Sequence, residues 1–288
     1  MKRVYVLAAV AILFWSTVAT VTKLLMGSLS SVQVLAVSAG FAALFLFFVN
    51  LFSGNLKRLS TYRLRDYLRT LLIGIPGTFL YYMFYYAGAA RLPASQAFII
   101  NYLWPIMSVV FACLILGERL TVRKVLAILI SFLGVMIVMG SGLLSGGFSL
   151  PGALFCVLGA ISYGIYTALN QRYSYDKRLS MMFYYATAFL LSMLLLLVKG
   201  ELPVLTLPTT LGLAFNGVLT MAVANTAWLM ALGTAGNTAK VSNLAYITPF
   251  LSLVWTAIFL RETITLPSLI GLTVIVLGIL LQLRDRKR

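Results

Sequence analysis

Two prolines lie inside long apolar stretches of the sequence, where each would free one backbone carbonyl. A helical proline cannot donate to the carbonyl four residues earlier, so Pro105 frees the carbonyl of Asn101 and Pro249 frees that of Ala245. In apolar surroundings each freed carbonyl needs another partner. We therefore predict hinges at Pro105 and Pro249 in two kinked helices that present polar groups to a cavity. The alternative is a pair of packing kinks whose carbonyls are satisfied by neighbouring side chains.

Aromatic and amide side chains within such stretches could bind a flat or apolar solute. Tyr81 and Tyr85 are four residues apart and share one helix face. Tyrosines in this setting can instead form an interfacial belt, and asparagines can serve only to join helices. The predicted binding residues are Trp15, Tyr81, Tyr85, Asn101, Trp104, Tyr163, Tyr166, Asn225, Trp228, Asn243 and Tyr246.

The sequence has few of the residues that catalysis and metal binding require. The chain has no His, which excludes a Ser-His-Asp triad and an imidazole-ligated zinc site. Cys113 and Cys156 lie in apolar runs, where a thiol behaves as a small buried hydrophobe. The 6 acidic residues fall in connections or at the ends of apolar runs. We predict no enzymatic activity, no cofactor and no metal site.

The composition indicates a membrane protein. Of the 288 residues, 61% are hydrophobic and 10% are charged, whereas soluble domains carry about 25% charged residues. A formal net charge of +16 would suit nucleic-acid binding in a soluble protein, but here the basic residues fall mainly in short connections. We expect the partners to be the lipid bilayer and a small-molecule substrate, with no nucleic acid, and the chain to be a monomer.

Ten apolar runs are long enough to cross a bilayer about 30 Å thick. Of the 22 basic residues, all but Lys23, Arg91, Lys199 and Arg261 fall on the side that holds both termini. The positive-inside rule then places both termini in the cytoplasm and requires an even number of spans. The first run is expected to be a span rather than a cleaved signal peptide. The predicted spans are residues 4–26, 32–52, 68–88, 94–116, 122–140, 150–171, 180–198, 209–232, 240–260 and 267–283.

The second half of the sequence repeats the first at an offset of 144 residues. Each half holds five predicted spans, and an odd number makes the second half enter the membrane in the opposite direction. We predict an all-α fold of ten transmembrane helices, built as two inverted five-helix repeats, 1–144 and 145–288, around a central cavity. The pairs in register include Tyr102 and Tyr246, Pro105 and Pro249, Glu118 and Glu262, and Gly134 and Gly278.

Short motifs mark the span boundaries. Leu-Pro-Ala-Ser at 92–95 and Gly-Asn-Thr-Ala at 236–239 begin the fourth and ninth spans, and Gly117-Glu118 and Arg261-Glu262 follow the ends of these spans. Together with the ten spans, these motifs resemble the EamA branch of the drug/metabolite transporter superfamily. The resemblance implies a cavity lined mainly by spans 1, 3, 4, 6, 8 and 9, with spans 5 and 10 peripheral. Residues 101–105 also resemble those of aromatic amino acid exporters within this family.

Inverted repeats around a midplane site are typical of secondary transporters. We expect a facilitator-type exporter of small metabolites in a bacterial inner membrane, acting by alternating access, with amino acids including aromatic ones as substrates. Because no acidic residue is expected within a span, the substrate gradient rather than protons would drive transport. The alternative is an exporter of hydrophobic cations or other drugs held by cation–π contacts.

Overall fold

The computed structural model describes residues 2–144, 149–173, 175–233, 241 and 244–283 of the chain. Every regular element in these residues is helical. Two π-helical segments, Ile75–Leu80 and Phe215–Val223, and two 3₁₀ segments, Asn55–Thr61 and Ala245–Ile247, interrupt or join the α-helices. The α-helices are α1 (Lys2–Leu25), α2 (Ser31–Phe52), α3 (Leu64–Gly74), α4 (Tyr81–Ala89), α5 (Ala94–Asn101), α6 (Trp104–Leu116), α7 (Val122–Leu144), α8 (Leu150–Arg172), α9 (Lys177–Lys199), α10 (Leu207–Ala214), α11 (Ala224–Gly233), α12 (Thr248–Leu260) and α13 (Leu266–Leu283).

Seven helical stretches among the described residues are long and apolar enough to cross a membrane. Two shorter apolar helices follow at Ala245–Leu260 and Leu266–Leu281. Many large apolar side chains point outward, among them Leu114 at 71% exposure and Leu129 at 60%, as expected where lipid replaces water. The chain is a multi-pass membrane protein, as its composition predicts. The seven stretches are Arg3–Leu25, Ser31–Phe52, Ala94–Leu116, Val122–Gly140, Leu150–Arg172, Lys177–Lys199 and Leu207–Leu232.

Both predicted proline kinks are present as helix breaks. Helix α5 ends at Asn101 and α6 begins at Trp104, with Pro105 as its second residue. A 3₁₀ turn, Ala245–Ile247, precedes α12, in which Pro249 is again the second residue. Proline causes a break because it removes one N–H from the helical ladder. Pro105 and Pro249 are counterparts in the repeat, so the two breaks fall at equivalent positions in the two halves.

Helices α6 and α12 also end in the same way, 144 residues apart. Gly117 follows α6 with φ 72°, and Arg261 follows α12 with φ 55°. The Glu118 N–H donates to the Ala112 carbonyl oxygen over 3.4 Å, and the Glu262 N–H donates to the Thr256 carbonyl oxygen over 3.3 Å. Each of these hydrogen bonds spans six residues. Arg261 adopts a backbone conformation that favours glycine, so this helix end is held by its surroundings rather than by its sequence.

Helices α7 and α13 pack closely along a seam of small residues. A Cβ atom added at Gly134 would lie 2.6 Å from the Gly271 carbonyl oxygen, and one added at Gly278 would lie 2.8 Å from that of Ala127. Gly134 and Gly278 are counterparts at the repeat offset of 144 residues, and so are Ala127 and Gly271. Exchanging each residue for its counterpart therefore turns one contact into the other. The small residues of this seam permit the close approach of the two helices. Elsewhere α2 packs on α9, α8 packs on α4 and α6, and α1 packs on α11 and α12.

Candidate functional site

A network of aromatic rings occupies the space between α4, α6, α8 and α9. Tyr163 lies at its centre, with ring centroids 4.8 Å from Tyr81, 5.0 Å from Trp104 and 5.3 Å from Tyr166. These spacings are in the range preferred by interacting aromatic pairs. The four residues were all predicted to bind substrate, and the structure brings them together. The network continues through Tyr82, Tyr85, Tyr86, Phe98, Tyr102, Tyr184 and Tyr185.

A small cavity of about 20 Å³ lies against this network. It is large enough for about one water molecule, whereas sites for small organic ligands are usually about 300–1,000 Å³. In the described conformation this cavity therefore has no room for such a ligand. The lining residues are Gly77, Thr78, Tyr82, Tyr163, Tyr166, Met181, Tyr184, Tyr185 and Asn225.

Two predicted asparagines support the tyrosine hydroxyls. Asn101 donates from Nδ2 to the Tyr81 hydroxyl over 3.0 Å, and Asn225 donates to the Tyr185 hydroxyl over 3.1 Å. Among the residues that the structure describes, the Asn101 Oδ1 atom and the Tyr85 hydroxyl are buried without a hydrogen-bond partner. Such groups are costly to leave unpaired, so both are available to a bound polar group or water if the helices separate.

The carbonyl freed by Pro249 is not open to the cavity. The Tyr102 hydroxyl donates to the Ala245 carbonyl oxygen over 2.6 Å, and the contact is buried. The prediction that this carbonyl faces a cavity is therefore wrong for the described conformation, because a neighbouring tyrosine satisfies it. The bond also ties the break in one half of the chain to the break in the other.

The remaining predicted residues that the structure describes do not line the small cavity. Trp15 and Trp228 pair with ring centroids 5.3 Å apart, between α1 and α11. Tyr85 is 1% exposed and lies behind Tyr81 in the network. Tyr246 packs against the main apolar core. Asn243 lies outside the described residues.

Three tyrosines at the cavity were not predicted to bind substrate. Tyr82 follows Tyr81 on α4 and contacts its ring, and Tyr184 and Tyr185 lie on α9, a helix for which no lining role was expected. The adjacent Tyr184 and Tyr185 in an apolar run are the sequence signal that could have identified them. Asn216 was also missed; it is fully buried and donates to the Tyr86 hydroxyl over 3.0 Å.

The turn between α4 and α5 is held from both of its ends. Lys23 donates from Nζ to the carbonyl oxygens of Ala89 and Leu92, each over 2.7 Å. The Glu262 carboxylate accepts from the Ala94 N–H at 2.6 Å, the Ser95 N–H at 2.9 Å and the Ser95 hydroxyl at 2.6 Å. Glu262 thus fixes the start of α5, and Lys23 is occupied by backbone carbonyls.

Glu118, the counterpart of Glu262 in the first half, has a different partner. It accepts from Lys124 Nζ over 2.9 Å. Glu118 therefore pairs within its own half of the chain, whereas Glu262 fixes the start of a helix in the opposite half from its own. The two halves of the chain therefore differ at equivalent acidic residues.

The ends of α2, α3, α8 and α9 meet in a charged and aromatic cluster. Arg58 pairs with Asp176 over 2.6 Å, and the Tyr175 hydroxyl donates to Asp66 over 3.2 Å. Burial raises the pKa of the Tyr62 phenol. The negative charge of the Asp176 carboxylate also raises this pKa, whereas the hydrogen bond that the Asp176 N–H donates to the Tyr62 hydroxyl lowers it. This cluster joins the connection after α2 to the start of α9.

These features define a polytopic helical membrane protein with a polar, uncharged interior site. Residues 2–140 and 150–284 each match the EamA-like transporter family, and the chain belongs to that family. It is a membrane transporter rather than an enzyme. No group of three or more His, Cys, Asp or Glu residues that could hold a metal occurs in the described part of the chain.

Named relatives share the transporter assignment. The Bacillus subtilis protein "Uncharacterized transporter YvbV" is 28% identical over 236 residues, covering 78% of this chain and 75% of the relative. "Aromatic amino acid exporter YddG" of Salmonella typhimurium is 27% identical over 67% of this chain and 68% of its own. The protein of that name from Ancylobacter novellus is 30% identical over 35% of this chain and 36% of its own. A solved crystal structure matches 100% of both chains with a TM-score of 0.68 at 21% identity, which shows a shared fold.

Proposed function

We propose that the chain exports amino acids, aromatic ones among them, as a facilitator that alternates access to a central site. The observation that carries the proposal is the uncharged cavity lining, in which tyrosines and Asn225 from α4, α8, α9 and α11 converge. Two relatives named as aromatic amino acid exporters support the substrate class.

The proposed architecture has ten spans in two inverted repeats. Residues 64–89 form the third span, since α3, the π-helical segment and α4 follow one another without a break. The ninth span ends in α12 and α13 is the tenth. The exchangeable seam contacts of α7 and α13 and the matching helix breaks support two-fold symmetry between the halves. The basic connections favour cytoplasmic termini in a bacterial inner membrane.

The site would bind an aromatic side chain among rings and its polar groups through amides. Trp104 and Tyr163 meet edge to face at 5.0 Å, and a third ring can join such a pair favourably. Asn101 Oδ1 and the Tyr85 hydroxyl offer unpaired polar atoms beside Tyr81 of the network. Because the cavity holds only about 20 Å³, substrate binding requires the surrounding helices to separate.

The carboxylates support gradient-driven transport. Asp66, Glu118, Asp176, Glu201 and Glu262 lie at helix ends or in connections. A proton-coupled carrier generally needs an ionisable group that changes exposure between its two access states, and these residues lie away from the cavity lining.

The test is counterflow of labelled amino acids in proteoliposomes. Tryptophan, phenylalanine and tyrosine should exchange, and Tyr163→Ala and Asn225→Ala should reduce their exchange at least tenfold, since each loses a group worth about 1.4 kcal/mol or more. Phe155→Leu is the matched control, because Phe155 also lies on α8 but pairs with Phe84 outside the cavity. Exchange of hydrophobic cations with no exchange of amino acids would refute the proposal and favour a drug exporter.

A further inference from the structure

A second cavity in the described part of the chain is larger than the small cavity beside the aromatic network. It is a groove of about 650 Å³ between α2 and α9, called here the α2–α9 groove. Its two walls come from different halves of the chain. The lining residues are Val37, Gly40, Phe41, Ala43, Leu44, Phe47, Met182, Phe183, Ala186, Phe189 and Met193.

The chemistry of the groove selects a hydrocarbon occupant. Every lining residue is apolar, so a polar solute would lose its hydration without gaining a hydrogen bond. Small residues, including Ala43 and Ala186, leave the space open, and Gly40 lies directly against the Phe189 ring. Leu44 is 54% exposed and Phe47 is 41% exposed at the groove. In a membrane protein such a surface faces acyl chains.

One end of the groove is basic. Arg178 is one helical turn before the lining residue Met182, and the two residues share one face of α9. The Arg178 backbone carbonyl accepts a hydrogen bond from Asn50 Nδ2 of α2 over 3.3 Å. The Arg178 guanidinium and the Lys57 ammonium are exposed and make no hydrogen bond or ion pair with any residue in the described ranges. Arg58 nearby is neutralised by Asp176. Arg178 therefore lies where the α2–α9 seam ends, and Lys57 lies in the connection that follows α2.

We propose that the α2–α9 groove binds an anionic phospholipid, with an acyl chain in the groove and the phosphate at Arg178 and Lys57. Basic sites at the ends of membrane helices attract anionic headgroups more than zwitterionic ones. The α2–α9 groove is separate from the small cavity beside the aromatic network, and lipid binding there does not depend on which solute is transported. A lipid bound there would contact both halves of the chain.

Native mass spectrometry of the intact protein, exposed to equal amounts of phosphatidylglycerol and phosphatidylcholine, tests this. The wild type should retain one phosphatidylglycerol in clear excess. Arg178→Gln should lower the ratio of retained phosphatidylglycerol to phosphatidylcholine about fivefold, the contribution of one basic residue near the membrane surface. Arg119→Gln, a basic residue in the connection between α6 and α7, is the matched control and should leave the ratio unchanged.

Ala186→Phe and Ala43→Leu fill the groove from opposite walls and should reduce retention of both lipids. Thermal unfolding in detergent identifies any variant that fails to fold, and the other groove variant then decides. Equal retention of the two lipids by the wild type would overturn the proposal. So would unchanged retention in a folded groove variant. A dimer that disappears in the groove variants would instead assign the groove to a second copy of this chain.

Discussion

Glu262 binds the start of α5 and should therefore control how often the turn between α4 and α5 opens. Its carboxylate accepts three hydrogen bonds from Ala94 and Ser95, two of them at 2.6 Å. Gln at this position loses the negative charge and one of the two acceptor oxygens. The substitution Glu262→Gln should therefore release the start of α5 without removing any packing volume.

The expected cost follows from the bonds that are lost. A hydrogen bond to a charged group contributes about 1.5–3 kcal/mol, and a neutral one about 1 kcal/mol. Because Glu262 is partly exposed and Gln keeps part of the contact, we expect about 2 kcal/mol, which raises the ratio of open to closed turn roughly 30-fold.

Cys156 supplies a native probe of that opening. It is 0% exposed, and it lies so close to Gly88, next to the end of α4, that a side chain at Gly88 would overlap its sulfur. In a Cys113→Ser background, the rate of maleimide labelling at Cys156 reports the open population when opening is fast relative to labelling. The rate should rise roughly 30-fold in Glu262→Gln by the estimate above.

Glu118→Gln is the control, because Glu118 pairs with Lys124 and does not touch this turn. It should leave labelling of Cys156 unchanged. Ser95→Ala removes one of the three bonds and should give a smaller rise. A folded, monodisperse Glu262→Gln protein that labels at the wild-type rate would refute the idea that Glu262 holds this turn closed.

Three further predictions concern transport and packing. Asn101→Ala and Trp104→Ala should express and migrate normally but lose amino acid flux in proteoliposomes; wild-type flux in both would remove α5 and α6 from the site. Flux measured at constant membrane potential should not respond to an imposed pH gradient, and uphill accumulation abolished by a protonophore would contradict a facilitator. Gly134→Val should lower the unfolding free energy by about 1–3 kcal/mol through overpacking, seen as a lower thermal midpoint in detergent, whereas an unchanged midpoint would contradict the close approach of α7 and α13.

Features that depend on local sequence were predictable. The breaks at Pro105 and Pro249 follow from the missing N–H of proline and occur where expected. The apolar runs identify the long helices because only sustained apolar stretches can face lipid. The repeat offset of 144 residues locates equivalent helix ends, including that at Arg261, where the residue type alone would not have suggested a helix end because the left-handed position is usually glycine.

The rotation of the helices about their axes was not predictable in the same way. The π-helical segment Ile75–Leu80 precedes α4, and its wider turn shifts the direction of every later side chain relative to an unbroken α-helix. Tyr82 rather than Tyr85 therefore lines the cavity. The partners of Glu262 lie 167 and 168 residues away, and no local pattern in the sequence links such distant positions.

The seam between α7 and α13 also bears on how the two halves find each other. Its contacts exchange under the repeat offset, and at its centre the Ser131 hydroxyl donates to the carbonyl of its own counterpart, Ile275, over 3.3 Å. An interface of this kind is isologous: it is the contact that two identical half-length chains would make. The seam alone can therefore align the halves, and we expect a covalent link between such halves mainly to raise their effective concentration.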